Sequence, residues 1–196
     1  MDKNTAINYL KNRIFDIYQS TREPLNKNIY RGHSRSISTD IEDSIALFVS
    51  ELLPKDYCLI LDPSIYINKK NNRPDLLVIN NKQEAVAMIE IKANMGWCRN
   101  ASDVLNDIVN NDNQFKEAQN LLCEISNDDS KEVIYHPGVK LFLISLTDGN
   151  CPEKKHQINK QLADSFGVKH YLLFSGWYDD LYNRDIEQFA DEMMLL

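Results

Sequence analysis

Apolar residues recur at helical spacing at Ile7, Leu10, Ile14, Ile17 and Tyr18, and predict a helix over residues 3–20. A polar connection over 21–36, holding Pro24 and Gly32, leads to a second predicted helix over about 40–53, closed by Pro54. Residues 57–61 read as a strand, interrupted by Asp62-Pro63 and resuming over 64–67. Two further β-rich runs, 74–79 and 85–93, flank the turn-formers Asn80-Asn81-Lys82-Gln83-Glu84 and predict a hairpin. Residues 101–111 are polar and weakly helical. A better helix is expected over 113–125, with Phe115, Ala118, Leu122 and Ile125 on one side, then a loop over 126–130. An apolar strand over 140–146, a helix over 156–166, a strand over 170–175 and a closing helix over 181–194 complete the pattern.

The hairpin carries the most information. If it is centred between Lys82 and Gln83, Asp75 lies opposite Glu90, Leu77 opposite Met88, and Ile79 opposite Val86. Opposed residues share a face of the sheet, with Cβ atoms roughly 5 Å apart. Lys92 falls on that face as well, two residues beyond Glu90. Two carboxylates and an ammonium are thereby expected among apolar neighbours, where a hard cation is their natural partner.

Composition narrows the class. The chain has 196 residues, 43% hydrophobic and 26% charged, as expected of a soluble globular protein. The expected organisation is one α/β domain over 1–196, with 1–36 an N-terminal helical extension. No apolar run approaches a membrane span, and Met1-Asp2-Lys3-Asn4 does not open a signal peptide. Cys58, Cys98, Cys123 and Cys151 are widely spaced, which argues against zinc and disulfide frameworks and predicts a cytoplasmic setting. Six glycines leave no nucleotide-cradling loop. The net charge of −7, from 29 acidic and 22 basic side chains, is not the basic footprint expected of a nucleic-acid binder.

The order helix, three strands, helix, strand, with Pro74-Asp75 on the second strand and Glu90-Ile91-Lys92 on the third, resembles the PD-(D/E)XK nuclease superfamily. The likeness spans about residues 38–146. As a bare pattern it is weak, since Asp129-Ser130-Lys131 and Glu153-Lys154-Lys155 match it too. The Glu90 copy differs by ending an apolar strand opposite a Pro-Asp. The resemblance implies a restriction-endonuclease-like fold, a mixed β-sheet flanked by helices on both faces in αβββαβ order. It also implies a Mg²⁺-dependent DNA endonuclease, with Mn²⁺ as a substitute, of the kind found in restriction, phage defence or mobile elements.

In that family a helix before the first strand often adds an acid, and Glu42 and Asp43 compete for the place. With about 100° per residue, Glu42 lies about 60° from the centre of the stripe Ile41, Ile45, Phe48, Val49, Leu52 and Leu53, while Asp43 faces away. Glu42 is the better candidate, although Thr39-x-x-Glu42 also reads as a capping box. By resemblance, Asp75, Glu90, Glu42 and the carbonyl of Ile91 hold the metal. Lys92 then holds or helps deprotonate the attacking water.

Arg31, His33 and Arg35 precede the second helix, and Lys70 and Arg73 precede Asp75. Asn94 and Arg99 follow the Glu-x-Lys strand. All seven are candidate nucleic-acid contacts, and solvated loops explain them equally well. Trp97 is a candidate for base stacking or for packing at a helix entry. His136, His156 and His170 have no spacing that suggests a metal site, and Trp177 with Tyr178-Asp179-Asp180 is expected to cap the last strand. Cleaving both strands of a duplex with one site per chain predicts a homodimer; the first and last helices are candidates for its interface and equally for packing on their own sheet. Two alternatives stay open: a non-catalytic binding or scaffold protein that keeps the fold, and an RNA-directed or structure-specific nuclease.

Overall fold

The turn between the two central strands is closed by its own side chain. Asn80 Oδ1 accepts the backbone amides of Lys82 and Glu84 at 2.9 and 3.0 Å, and Gln83 adopts the left-handed conformation at φ 64°. In the computed structural model, which describes residues 1–22, 37–95, 101–126, 129–149, 151–176 and 180–196, this turn joins β4 (Leu76–Ile79) to β5 (Glu84–Asn94). Leu77 pairs with Met88, as a hairpin centred between Lys82 and Gln83 predicts. Ile79 pairs with Ala85 rather than Val86, because a bulge between Val78 and Ile79 takes up one residue.

Before the hairpin come α1 (Lys3–Arg22), α2 (Ser38–Leu52), β1 (Cys58–Leu61), β2 (Ser64–Ile67) and β3 (Lys70–Asn72). After it come α3 (Ala101–Ala118), β6 (Asn120–Ser126), β7 (Asp129–Thr147), α4 (Glu153–Ser165), β8 (Val168–Ser175), β9 (Tyr182–Asn183) and α5 (Ile186–Met194). Among the described residues the strands form one mixed sheet in the order β1-β4-β5-β7-β6-β2-β3, with β8 added beside β7 and β9 beside β8. β5 runs parallel to β7, and β7 parallel to β8; β1 and β6 are antiparallel to their neighbours. The expected α/β architecture, a mixed sheet with helices on both faces, is the one found.

Alternation along the central strands builds two cores. Val78, Ile89, Ile91, Phe142 and Ile144 face α1, α2 and α5, where they bury Leu10, Ile14, Ile45, Phe48, Val49 and Phe189. Leu77, Met88 and Leu143 face the other way, against Leu105, Ile108 and Phe115 of α3 and Ala163 of α4. Burying side chains of this size contributes roughly 1.5–3 kcal/mol each.

Three sequence expectations fail for local reasons. The helix expected over 113–125 ends at Ala118, where Gln119 turns left-handed at φ 60°. The chain then becomes β6, with Leu121 and Cys123 buried and Leu122 exposed, a period of two that short apolar runs conceal. The strand expected over 140–146 begins at Asp129, eleven residues early, because its outer half pairs with β6. The closing helix starts only at Ile186, since Tyr182 and Asn183 first pair with β8.

The capping box is also absent. Ile37 stands at the N-cap of α2 without a side-chain cap hydrogen bond, so Thr39 lies inside the helix. Among the described residues no helix is long and apolar enough to cross a membrane.

Candidate active site

Asp75 stands one residue before the Leu76–Ile89 pair and Glu90 one residue after it, so the hairpin register brings both acids to the same end of the sheet. Their surroundings are tight. Asp75 Oδ2 accepts the backbone amide of Ile91 at 2.6 Å, which stitches the loop before β4 to the strand that carries Glu90. Lys92 Nζ donates to Glu90 Oε1 at 2.5 Å and lies 3.7 Å from Asp75 Oδ2. All three side chains are half-buried, with exposures of 19% for Asp75, 22% for Glu90 and 30% for Lys92, leaving the site open at its rim. The structure therefore gathers the residues of Pro-Asp and Glu-x-Lys into one constellation.

Glu42 comes from the helix layer on the opposite face and approaches the same strand ends. It is half-buried, whereas Asp43 is exposed. Burial raises the Glu42 carboxyl above its ordinary range, and the charges of Asp75 and Asp62 push it further while Lys92 opposes them. Burial likewise raises Asp75 against the pull of Lys92 and the Ile91 amide. Glu90 is pushed up to about 6, by burial first and then by the charge of Asp75. Among the described residues, the Lys92 ammonium only partly offsets these three raised carboxyls.

That imbalance bears on a metal. Among the described residues no three His, Cys, Asp or Glu side chains converge as a ready-made cage. The donors that are present, half-buried carboxylates raised by burial and by one another's charge, have the chemistry of hard-cation ligands.

The remaining candidates scatter. Lys70 is exposed on β3, and Arg73 is exposed and ion-paired to Asp62 at 2.6 Å. Asn94 ends β5 opposite Thr147, and its side chain is outside the described residues. Arg31, His33, Arg35, Arg99, Trp97 and Trp177 also lie outside them.

Sequence reasoning missed part of the polar end of this sheet. Lys92 pairs in register with Ser145 and Asn94 with Thr147, and both β7 hydroxyls are buried. Ser145 Oγ is 2.7 Å from His170 Nε2, and the His170 ring is 5.2 Å from that of His156. The signal was a serine inside the run Leu141-Phe142-Leu143-Ile144-Ser145-Leu146. Asp62 was read only as a strand break, yet it is an acid whose charge reaches both Asp75 and Glu42.

Comparison with known proteins adds the fold. The chain aligns with NucC of P. aeruginosa in its cAAA-bound form at a TM-score of 0.53 and 9% identity, covering 100% of this chain and 91% of that one. At that identity the likeness shows a shared nuclease-like fold. No family model matches the chain, and no curated protein matches it.

Proposed function

We propose that the protein is a Mg²⁺-dependent DNA endonuclease that hydrolyses phosphodiester bonds at the Asp75–Glu90–Lys92 constellation. The observation that carries this reading is the convergence of the three side chains, with Lys92 Nζ 2.5 Å from Glu90 and 3.7 Å from Asp75 at one strand end. The NucC-like fold supports it.

Asp75, Glu90, the carbonyl of Ile91 and, directly or through water, Glu42 would hold the cation. A bound hard dication supplies Lewis acidity and positive charge where the phosphodiester gains negative charge. The chain's own residues do the rest. Asp75 is fixed by the Ile91 amide, so its carboxylate keeps one orientation. Lys92 donates hydrogen bonds that orient the attacking water, and its charge stabilises the crowded phosphorus centre. The water oxygen would form the new P–O bond as the bond to the sugar oxygen breaks, with a water proton released to solvent and the departing oxygen taking one up; no histidine or cysteine nucleophile is required. A duplex cut on both strands is the work of a homodimer, in a restriction or defence setting.

Nicking of supercoiled plasmid tests the reading. Cleavage should require Mg²⁺ and vanish with chelator, with Asp75→Ala and with Lys92→Ala. Full activity in Asp75→Ala discards the mechanism.

The net charge of −7 favours a second reading, a partner protein that keeps the fold without catalysis. Calorimetry separates the two, because such a protein has no reason to bind Mg²⁺ or Mn²⁺ through Asp75 and Glu90. An RNA-directed or structure-specific nuclease would bind the metal and leave duplex DNA intact.

A further inference from the structure

Asp62 sits at the corner between β1 and β2 in a conformation that non-glycine residues rarely adopt. Its φ is 46°, and Pro63 follows. The left-handed region is unfavourable for most side chains, though Asp and Asn tolerate it best. The corner is pinned at both ends of the residue. The Asp62 amide donates to the backbone carbonyl of Asp75 at 2.8 Å, and Asp62 Oδ2 accepts from the Arg73 guanidinium at 2.6 Å. One residue thus grips the chain on either side of Pro74.

The two partners differ in mobility. Asp62 has a short side chain on a fixed backbone, whereas Arg73 has a long one. Both are about half exposed, 55% for Arg73 and 51% for Asp62. An ion pair with that exposure is weak, because water solvates each partner nearly as well. A phosphate offers the same guanidinium two parallel hydrogen bonds and more negative charge. Arg73 is also two residues from Asp75, so its reach covers the edge of the proposed catalytic centre.

We propose that Arg73 is a phosphate-binding side chain held by Asp62 until a nucleic-acid backbone takes Asp62's place. The proposal rests on the nuclease reading and extends it to a substrate contact and its resident counter-ion. When Arg73 leaves, the uncovered Asp62 carboxylate adds negative charge beside Asp75 and Glu42. Loading of the substrate arm is then linked to the site's demand for a cation.

A double-mutant cycle tests this, with the full chain and a short fluorescein-labelled duplex in Ca²⁺, read by anisotropy across a salt series. Asp62→Asn keeps a residue that tolerates the left-handed corner, and an unchanged melting temperature verifies the fold. It should tighten binding by roughly three- to tenfold at low salt by releasing Arg73. Arg73→Gln should weaken binding and reduce the salt slope by about one. In the Arg73→Gln background the gain from Asp62→Asn should largely disappear.

An equal gain in both backgrounds overturns the proposal, since removal of any nearby negative charge would then explain it. A gain confined to the protein with Arg73 supports it. If none of the four proteins binds the duplex, the nucleic-acid reading falls, and the exchange falls with it.

Discussion

The backbone amide of Ile91 donates to the carboxylate of Asp75 at 2.6 Å, across two neighbouring strands. That bond gives Asp75 a purpose in the fold as well as in the proposed chemistry. It also separates two substitutions that sequence alone treats alike. Asp75→Asn keeps an oxygen that can accept from Ile91, whereas Asp75→Ala leaves that amide without its acceptor. Both should lower plasmid nicking by at least about a hundredfold. Asp75→Asn should retain the wild-type urea midpoint more closely, since an unsatisfied buried donor costs about 1–3 kcal/mol.

Lys92 supplies the compensating charge for Glu90. Lys92→Ala should abolish nicking and move the Glu90 titration above its value of about 6, because the ammonium is the attraction that opposes burial there. Carboxyl carbon NMR across a pH series measures the shift. A Glu90 titration that stays put would show that burial and the charge of Asp75 set it without Lys92.

Glu90 also makes stability depend on pH, with a definite sign. Its folded-state pKa, raised from 4.5 to about 6, means that the native state holds the proton more tightly than the unfolded chain. Stability from this group is present below about pH 4.5 and is lost as pH rises through about 6. Without divalent metal, the unfolding free energy from urea titrations should therefore fall between those values, by an amount on the order of 2 kcal/mol. Added Mg²⁺ should raise the midpoint more at pH 7.5 than at pH 5. Equal increments at both would argue that the ion binds elsewhere.

Glu42 makes no cap in the structure, and its carboxylate is opposed by burial and by Asp75. Glu42→Gln should leave stability within about 0.5 kcal/mol of wild type. Nicking should fall, but less than in Asp75→Asn. Loss of a cap would instead appear as a clear drop in the thermal midpoint.

How far the sequence disclosed this molecule depended on whether one signal dominated locally. The turn-formers between two apolar runs centre the hairpin between Lys82 and Gln83, so the Leu77–Met88 pairing and the meeting of Asp75 with Glu90 were legible. Val86 was misplaced because a bulge leaves no mark in residue types. The region after Ala118 was misread because Leu122 and Ile125 fit a helical stripe, while the break depends on a left-handed glutamine. Thr39 and Glu42 spelled a cap two residues beyond Ile37, where the helix has its N-cap. Asp62 and Arg73 lie eleven positions apart across a corner, so their pairing required coordinates.

The Asn80 turn, finally, has a practical use. Its loop is closed by hydrogen bonds that the side-chain oxygen of a single asparagine accepts, and the irregular step beside Val78 separates it from the Leu77–Met88 pair. A dye-bearing cysteine in place of the exposed Lys82, whose backbone amide rather than side chain takes part in that closure, would sit at the far end of the hairpin from the gathered acids. That makes the loop tip a place to anchor the protein on a surface or to follow it by fluorescence, at a distance from the Asp75–Glu90–Lys92 constellation.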